Sequence, residues 1–448
     1  MNILNLASTV SAIGILGGGV TGKAVERFCK KMAIPCKIFN EFGPEEEQFS
    51  EWEAKKYPLI VRSPSFMTSH KWVQLAAKAG CRCIAELDLA ACLWHGKIVA
   101  VTGTNGKTTT VEFLAHALKL CGKRAVPCGN IGYPFIDLAM SDCNSEETWA
   151  VVEVSSFQMN GATIFSPDFV LWTNFANDHL DAHESLAEYF DCKSGLIRNA
   201  KQSDDGGIHC FVGQSVHDFR KQLRVDDIAG KYLLCTSCDM LPKNSTLNAE
   251  TQRRNFALVQ KFWQCAGLPA DRLVEAALTF QLPPHRLQMT KKVYQLNARG
   301  KQSKAVEFWD DSKATNFHAL DAALASFSRP VILIAGGKSK NEPIGEFWKV
   351  IDGRVKGLLL IGETGEILNA ARELDEGSNS LVFCKFFPRT ESVKDAMANA
   401  VQYAFSMASD GDIVLLSPGF SSLDWFENYV ERGKFFLESV LCLNLPNK

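Results

Sequence analysis

Residues 98–111, IVAVTGTNGKTTTV, join an apolar run to a helix through a glycine-rich turn, and they organise our interpretation of the chain. Residues 98–101 are continuously apolar, which is typical of a strand buried on both faces. Between residues 111 and 121 the apolar side chains recur at helical spacing, and Gly122 is a common helix terminator. The stretch therefore predicts a strand, a loop and a helix in the order that cradles phosphate.

The loop between this strand and helix carries the residue types that a nucleoside triphosphate requires. Its glycines expose backbone N–H groups, the helix dipole favours negative charge, and Lys107 can reach the outer phosphates. Thr108 stands where a P-loop hydroxyl holds Mg²⁺. Because Val101 occupies the first glycine of the GxxxxGK[ST] pattern, a plain glycine-rich turn with a solvated lysine is the competing interpretation. The predicted nucleotide-binding residues here are Gly103, Thr104, Asn105, Gly106, Lys107, Thr108 and Thr109.

The composition limits the class of protein, since 448 residues are too many for one compact core and two to four domains are expected. With 22% charged residues and a net charge of −2, the chain has no electrostatic footprint for nucleic acid or an anionic membrane. No apolar stretch reaches the length of a transmembrane helix, and no basic region precedes the apolar N-terminus. The 15 scattered cysteines are typical of reduced thiols. We therefore expect a cytoplasmic protein that binds no nucleic acid and is not an integral membrane protein.

A second glycine-rich turn lies near the N-terminus, at residues 14–22. It precedes a helical pattern and a strand that ends at Asn40-Glu41, as in a βαβ unit that binds a diphosphate and a ribose. Another strand ends at Ser63-Pro64, where ligands sit in parallel sheets. Taken alone, this region indicates a nicotinamide dehydrogenase, but that function leaves residues 98–193 unexplained. A P-loop regulatory protein is a further alternative.

Candidate acidic and basic side chains follow the phosphate loop in the central part of the chain. Residues 149–158 predict one buried strand, whereas residues 200–245 are less regular. Glu153 is isolated within the apolar run VVEVSS of that strand, and burying a lone carboxylate is costly unless it is paired or binds a metal. We favour a magnesium-binding role for Glu153 over a buried salt bridge. His179 and His183 stand four residues apart and could share a helix face, but periodicity alone does not decide whether they bind a metal. Lys193 lies in a helical stretch, and its residue type and position alone favour a solvated helix lysine.

The C-terminal third repeats the alternation of strands and helices, and several strands end in small or polar residues, which predicts a ligand edge. The prolines at 283 and 284 mark a domain edge because proline cannot continue a helix. We therefore predict an α/β protein of three domains: a Rossmann-like domain over 1–93, a central P-loop domain over 94–284 and a second Rossmann-like domain over 285–448.

Nine short sequence blocks occur in a fixed order along most of the chain. They are TGTNGKTTT (102–110), GNIG (129–132), VVEVSSFQM (151–159), NFANDHLD (174–181), DCKSG (191–195), RNFAL (254–258), PHRLQ (284–288), DDSKATN (310–316) and LLSPGFSSLDWFENYVERG (415–433). Together these blocks resemble the Mur ligase family of ATP-dependent amide ligases, in particular its D-glutamate-adding branch. No Asn-Pro-Arg signature of the diaminopimelate- or lysine-adding branch is found in the third domain.

This resemblance implies a reaction and its partners. The γ-phosphoryl group of ATP activates the L-alanyl carboxylate of UDP-N-acetylmuramoyl-L-alanine, and the amine of D-glutamate attacks the acyl phosphate. It implies Mg²⁺ at two sites, a carbamylated Lys193 and, in our expectation, a monomer. In-family alternatives are another Mur-type amide ligase or a ligase similar to folylpolyglutamate synthetase, against which the UDP-binding type of first domain argues.

The resemblance also implies roles for individual residues. Catalysis is assigned to Lys107, Glu153, His179 and Lys193, and metal binding to Thr108, Glu153, His179 and carbamylated Lys193. Beyond the phosphate loop, ATP contacts are assigned to Asn255, Arg286 and Asp311. The UDP-substrate set is Gly18, Val20, Thr21, Asn40, Glu41, Ser63, Pro64, Asn130 and Ser155, and the D-glutamate set is Lys313, Thr315, Lys338, Ser422 and Tyr429.

Three positions depart from the family pattern. Ser65 replaces the glycine of a Ser-Pro-Gly loop, and no arginine for the uridine phosphates follows Asn40. Tyr429 stands where a phenylalanine is expected, and it fills similar space while adding a hydroxyl group.

Overall fold

The structure is a computed structural model that describes residues 10–180, 182–202, 206–296, 302–341, 343–374, 381–389 and 392–443. The contacts of these residues group them into two compact units. The first unit contains residues 10–175 and 184–280, and the second contains residues 176–183 and 281–443. Three β-sheets run through them, two in the first unit and one in the second. The division into domains over 1–93, 94–284 and 285–448 stays a prediction.

The first sheet is wholly parallel, and short helices alternate with its strands as the N-terminal glycine turn predicts. Its strands are β1 (Ile13–Leu16), β2 (Cys36–Phe39), β3 (Leu59–Arg62) and β4 (Arg82–Ala85). Its helices are α1 (Val20–Lys31), α2 (Glu51–Ala54), α3 (Lys71–Lys78) and α4 (Glu86–Leu93), with a 3₁₀ turn at Glu45–Glu47. The strand order is β2-β1-β3-β4, so the carboxyl ends of β1, β2 and β3 meet at one edge of the sheet.

The second sheet is also parallel and contains the strand of the phosphate loop at its centre. Its strands are β5 (Lys97–Thr102), β6 (Arg124–Gly129), β7 (Thr148–Glu153), β8 (Phe169–Trp172), β9 (Cys210–Val212) and β10 (Leu233–Leu234). Helices α5 (Lys107–Leu120), α6 (Phe135–Ala139), α7 (Ser156–Met159), α8 (Leu186–Asn199), α9 (Gln214–Gln222), α10 (Glu250–Cys265) and α11 (Ala270–Thr279) accompany them, with a 3₁₀ turn at Thr246–Asn248. The strand order is β10-β9-β8-β5-β7-β6, so β5 is an interior strand. Its residues 98–101 are all buried, and a strand that is buried on both faces is apolar without alternation.

Two local predictions for this sheet are wrong. Residues 149–158 were expected to form one strand, but β7 ends at Glu153 and residues 156–159 form α7. Ser155 caps that helix with its side chain, and the cap ends the strand. Residues 200–245 looked irregular in sequence, yet they contribute β9, α9 and β10 to the edge of the sheet.

The third sheet lies in the second unit and is parallel except for one edge pair. Its strands are β11 (Gln288–Leu296), β12 (Gln302–Asp310), β13 (Val331–Ala335), β14 (Val355–Leu360), β15 (Phe383–Phe386) and β16 (Ile413–Leu416). Its helices are α12 (Phe317–Leu324), α13 (Ile344–Ile351), α14 (Gly362–Leu374), α15 (Val393–Met407) and α16 (Tyr429–Cys442). In the order β11-β12-β16-β13-β14-β15, only β11 and β12 pair antiparallel. The α/β class with parallel sheets is confirmed.

Two general expectations can be compared with the described residues. None of the helices within them combines the length and the apolar character needed to cross a bilayer. All 15 cysteines carry free thiols, in agreement with the expectation of reduced side chains.

Candidate active site

The phosphate loop lies between β5 and α5, as predicted, and its glycines are required by its geometry. Gly103 has φ 149° and Gly106 has φ 80°, both in the region that disfavours side chains. A Cβ atom added to Gly106 would stand 2.3 Å from Nδ2 of Asn255. Asn255, on α10, therefore lies against the loop to which the sequence assigned it.

The backbone of the loop is held by the end of the neighbouring strand β8. The N–H group of Asn105 donates to Oδ1 of Asn174 at 2.9 Å, and the hydroxyl of Thr173 donates to the carbonyl of Asn105 at 2.7 Å. The N–H group of Thr104 donates to the carbonyl of Asn174 at 3.1 Å. These bonds fix the loop in shape, so a phosphate that it binds meets a preorganised set of donors.

Two lysines direct their ammonium groups at this loop. Nζ of Lys107 donates to the carbonyls of Gly103 and Thr104 at 2.8 and 2.9 Å. Nζ of Lys193 donates to the same Gly103 carbonyl at 3.1 Å and lies 4.7 Å from the ring centroid of Tyr189. Lys193 is 1% exposed, so the sequence interpretation of a solvated helix lysine is excluded.

Glu153 ends β7 beside the loop and is 2% exposed. Its Oε1 accepts from Nδ2 of Asn130 at 3.0 Å, whereas its Oε2 has no hydrogen-bond partner among the described residues. The hydroxyl of Thr109 is likewise buried without such a partner, while Thr108 is partly exposed in the first turn of α5. A buried oxygen left unsatisfied is costly, so this donor set fits a hard cation such as Mg²⁺.

Asn130 and Ser155 take structural positions around Glu153. Asn130 donates both its side-chain amide and its backbone N–H to Glu153, so it orients the carboxylate. The hydroxyl of Ser155 accepts from the N–H of Gln158 at 3.3 Å, and Oε1 of Gln158 accepts from the N–H of Ser155 at 2.9 Å. These bonds are internal, and the predicted substrate contacts of both residues stay predictions.

The N-terminal glycine turn borders a cavity of about 330 Å³ at the edge where β1, β2 and β3 end. Ser63 closes one side, because a Cβ atom added to Gly17 would stand 2.8 Å from its hydroxyl. The cavity brings together most of the predicted UDP-substrate set. Its lining residues are Gly17, Gly18, Gly19, Val20, Thr21, Asn40, Glu41, Phe42, Ser63, Pro64, Ser65 and Phe66.

Arg62, which the sequence treated only as the end of a strand, connects this cavity to the region of Glu153. It is 3% exposed, and its guanidinium donates to the carbonyls of Phe66 and Asn160. Burial lowers the pKa of Arg62. One buried side chain therefore connects the end of β3 with the segment that follows α7. The two residues are 98 positions apart, so no local sequence pattern predicts their contact.

In the second unit, the PHRLQ and DDSKATN blocks meet. Oδ1 of Asp311 accepts from the N–H of Leu287 at 3.1 Å and its Oδ2 from the hydroxyl of Ser417 at 3.0 Å, and burial raises its pKa to about 7. Both oxygens thus have internal partners, and the predicted ribose contact of Asp311 stays a prediction. Nε of Arg286 is buried without a hydrogen-bond partner in the described part of the chain, a donor that fits an anion such as phosphate.

Two of the predicted D-glutamate residues, Lys313 and Tyr429, meet at the start of α16. Nζ of Lys313 lies 4.0 Å from the ring centroid of Tyr429, and the hydroxyl of Ser312 donates to the Tyr429 carbonyl at 2.8 Å. Arg432, fully buried, donates to the Ser312 carbonyl at 2.8 Å and to the Phe420 carbonyl at 3.1 Å. Sequence interpretation missed Arg432, although it stands in a quoted block. Thr315 is partly buried in the same loop, and Ser422 is 3% exposed.

The GGKSK block contains two lysines, Lys338 and Lys340, and the sequence analysis chose only Lys338. Lys338 is exposed, and its backbone pairs with Ser421. Lys340 instead donates to Oδ1 of Asp178 at 2.9 Å, and the amide of Asn316 donates to Oδ2 of Asp178 at 2.9 Å. The cation that joins the buried polar cluster is therefore Lys340.

His179 follows Asp178 in the second unit and has φ 57°, a conformation that few non-glycine residues adopt. Its N–H group donates to Oδ1 of Asp178 at 2.9 Å. Backbone strain of this kind is common at functional sites. The predicted role of His179 as a metal ligand stays a prediction.

Comparison with known proteins finds models of one protein family in both units. The description "Mur ligase middle domain" matches residues 101–228, and "Mur ligase, glutamate ligase domain" matches residues 296–420. A UDP-N-acetylmuramoylalanine–D-glutamate ligase of Caldicellulosiruptor saccharolyticus is 30% identical over 463 residues, which cover 95% of this chain and 97% of that protein. The chain belongs to the Mur ligase family. An enzyme of the same name from Gloeothece citriformis is 32% identical over 411 residues, covering 86% of this chain and 85% of that protein.

Solved Mur ligases share the fold. UDP-N-acetylmuramate-alanine ligase MurC from Thermotoga maritima aligns with a TM-score of 0.55 at 15% identity, covering 96% of this chain and 99% of that one. MurF ligase from the same organism, in complex with ADP, aligns with a TM-score of 0.55 at 16% identity, covering 85% of this chain and 93% of that one. At these identities the likeness supports the Mur ligase architecture alone.

Proposed function

We propose that the chain is an ATP-dependent ligase that joins D-glutamate to the L-alanyl carboxylate of UDP-N-acetylmuramoyl-L-alanine, a step in peptidoglycan precursor synthesis. The observation that carries the ligase chemistry is the phosphate loop flanked by Lys107, buried Lys193 and the half-satisfied carboxylate of Glu153. The relatives named as D-glutamate ligases, aligned over nearly their whole length, support the choice of substrates.

The chemical problem is that a carboxylate does not react with an amine in water, because oxide is a poor leaving group. Transfer of the γ-phosphoryl group of ATP to the alanyl carboxylate makes an acyl phosphate, and the amine then attacks its carbonyl carbon. The tetrahedral intermediate collapses as the C–O bond to phosphate breaks and the amine loses a proton. The protein must hold two anions together in the first step, so the loop N–H groups and Lys107 supply positive charge to the phosphates.

The oxygen donors near the loop fit magnesium. We assign Thr108 and Glu153 to one ion and Lys193, once carbamylated, to a second; the ions would neutralise phosphate charge when bound. Asn130 keeps the Glu153 carboxylate turned toward the loop through its amide bond. Lys193 is buried beside the Gly103 carbonyl. In carbamylation the neutral amine would add to CO₂, an N–C bond would form and a proton would be released, which would convert a cation into an anionic oxygen ligand.

The remaining substrate groups are assigned to separate subsites. The cavity at the end of β1 takes the UDP moiety, with Gly18, Val20, Thr21, Asn40 and Ser63 beside it. The cluster of Lys313 and Tyr429, with Thr315 and Ser422, takes D-glutamate, because a cation over an aromatic ring suits a dicarboxylate with an aliphatic stem. Lys340 replaces Lys338 as the candidate lysine of the GGKSK block. We place this reaction in the cytoplasm, where ATP and reduced thiols are found, and keep the monomer as an expectation.

The test is phosphate release by purified protein supplied with ATP, Mg²⁺, UDP-N-acetylmuramoyl-L-alanine and D-glutamate. We expect release, and a dipeptide product detected by mass spectrometry, only when all four are present. Reactions with L-glutamate, meso-diaminopimelate or L-lysine serve as matched amino-acid controls, and tetrahydrofolate with L-glutamate tests the folate alternative. Lys107→Ala provides a protein that keeps the fold but lacks the phosphate contact.

Each result has one interpretation. Release without D-glutamate, or with another amino acid in its place, contradicts the substrate assignment while leaving a Mur-type ligase. Phosphate release with tetrahydrofolate and L-glutamate, but not with UDP-N-acetylmuramoyl-L-alanine and D-glutamate, would indicate a ligase similar to folylpolyglutamate synthetase. Full activity in Lys107→Ala contradicts the role of the loop itself.

A further inference from the structure

The cavity at the end of β1 is electrically unusual for a site that takes a diphosphate. Of the described residues that line it, none is lysine or arginine, and its one acid is Glu41. Oε2 of Glu41 lies 3.1 Å from Nε2 of His70, and its Oε1 lies 2.8 Å from Nζ of Lys71. Both oxygens of Glu41 thus contact α3 or the residue that precedes it, and a carboxylate does not attract a diphosphate. Binding energy for the nucleotide must come from backbone N–H groups and from another contact.

Phe42 supplies a candidate for that contact. Its side chain is 95% exposed, the highest value among the large hydrophobic residues that the structure describes, and it stands at the rim of the cavity. Leaving an aromatic ring in water forgoes the gain from burying it, so a fully exposed phenylalanine beside a ligand cavity is a feature that needs an explanation.

The loop that carries Phe42 is held in place. The side-chain amide of Gln48 lies within hydrogen-bond distance of the carbonyls of Asn40, Glu41 and Gly43, at 3.2, 3.2 and 2.9 Å. The N–H group of Asn40 donates to the carbonyl of Glu47 at 2.9 Å. The backbone that carries the ring is therefore braced, and the cost of ordering that backbone has been met before a ligand binds.

The order of groups along a bound nucleotide places the base at Phe42. In a βαβ unit the diphosphate faces the glycine turn and the start of the helix, and the ribose faces the residue that ends the second strand. Asn40 follows β2 and faces the turn, since a Cβ atom added to Gly18 would lie 3.8 Å from its Nδ2. The base, attached to the far side of the ribose, then extends toward the residues after Asn40.

We propose that Phe42 stacks on the uracil ring of the substrate and is the main side-chain determinant of nucleotide affinity at this site. The inference rests on the proposed function for the identity of the base. Stacking on an aromatic side chain suits every base, so selection of uracil over larger bases falls to the cavity's size, and Phe42 supplies affinity.

The experiment measures binding of UDP to the full chain by isothermal titration calorimetry, which needs no ligase activity. We expect Phe42→Ala to raise the Kd for UDP about tenfold or more, and Phe42→Trp to keep it within about twofold. Trp52→Ala is the matched control, because Trp52 is 68% exposed in the same sheet region and does not line the cavity. It should leave the Kd unchanged.

A second ligand isolates stacking from folding. The diphosphate of 5,6-dihydrouridine has the same polar groups but a non-planar base, so the wild-type chain should bind it more weakly than UDP. In Phe42→Ala that preference should vanish. A preference that survives in Phe42→Ala, or an unchanged Kd for UDP in that variant, overturns the inference, as does absence of UDP binding by the wild type.

The two proposals fail separately. If the wild type releases phosphate with D-glutamate while Phe42→Ala keeps its KM for UDP-N-acetylmuramoyl-L-alanine, the stacking is wrong and the function stands. If UDP binding depends on Phe42 but no ligase reaction is found, the function is wrong and the nucleotide site stands.

Discussion

The first unit contains two glycine-rich turns at strand ends that serve different chemistry. The turn after β5 is flanked by Lys107, Lys193 and Glu153, with ammonium groups donating to loop carbonyls. The turn after β1 faces an open cavity whose described lining has no lysine or arginine and whose rim carries an exposed aromatic ring. The same strand–turn–helix geometry thus occurs once with lysines directed at the turn and once with no lysine or arginine in the described lining.

The difference follows from what each site must do. A site that only binds a diphosphate needs backbone N–H groups and shape, because the phosphates do not change charge during the reaction. A site that moves a phosphoryl group must stabilise charge that develops in the transition state, and fixed charges in a desolvated pocket do this best. Removing charge from the turn after β5 should therefore lower kcat, whereas changes at the turn after β1 should alter the affinity for the nucleotide.

The largest effect is expected for Lys193→Ala. The substitution removes the buried amine that we assign to carbamylation and metal binding, so kcat for phosphate release should fall about 10³-fold. Short-chain carboxylates such as acetate, which can occupy the vacated space, should restore part of the activity.

The control is Lys201→Ala, which removes an exposed lysine paired with Asp168 just beyond the same helix. It should retain full activity. An active Lys193→Ala enzyme, or one that acetate fails to rescue although it folds and binds ATP, would remove the carbamylated lysine from the mechanism.

Glu153→Gln should reduce kcat about 10²-fold and raise the Mg²⁺ concentration needed for half-maximal rate, since an amide cannot supply the negative charge. The measurement is a magnesium titration of phosphate release. Glu147→Gln, an exposed position just before the same strand, should match the wild type. Unchanged magnesium dependence in Glu153→Gln would mean that the buried carboxylate is structural.

How much of this could be predicted from sequence depends on whether the signal is local. The phosphate loop and Glu153 were predicted because an apolar strand, a glycine turn and a lone buried acid lie within short, continuous stretches. Arg62 bonds to Asn160, and Lys340 bonds to Asp178 162 residues away, so no periodicity reports them.

Edge elements and caps were missed for related physical reasons. The strand β11 has the polar sequence QMTKKVYQL because it is an antiparallel edge strand, and it lacks the apolar run by which buried strands are found. Ser155 falls within the predicted strand 149–158, yet serine is also a preferred helix cap, and in the structure its side chain caps α7.

A smaller effect is expected when the KM values for the ligands of the two turns are compared at different salt concentrations. Raising KCl from about 50 to 300 mM shortens the screening length roughly twofold. We expect the KM for ATP to rise several-fold, because its site uses charged side chains, and the KM for UDP-N-acetylmuramoyl-L-alanine to change less than twofold. A sucrose series of equal osmolality controls for solvent effects. Equal salt dependence of the two KM values would contradict the contrast drawn between the sites.

The last prediction applies the same substitution to a second buried carboxyl. Glu86 is 3% exposed and its Oε1 accepts from the N–H of Ile136 at 2.7 Å, while burial raises its pKa from 4.5 to about 7. Because the folded state holds this proton more tightly than the unfolded state, its contribution to stability is full below pH 4.5 and is lost as pH rises to about 7. Glutamine mimics the neutral acid and keeps an oxygen for Ile136.

Glu86→Gln should therefore leave kcat unchanged, in contrast to Glu153→Gln, and should flatten the fall of stability with pH. Between about pH 5.5 and 8, the free energy of unfolding of the variant relative to the wild type should rise by about 2 kcal/mol. Denaturant unfolding of both proteins at several pH values measures this, and the buried Asp311 carboxyl cancels because both proteins contain it. A parallel pH dependence of the two proteins would show that burial does not raise the pKa of Glu86.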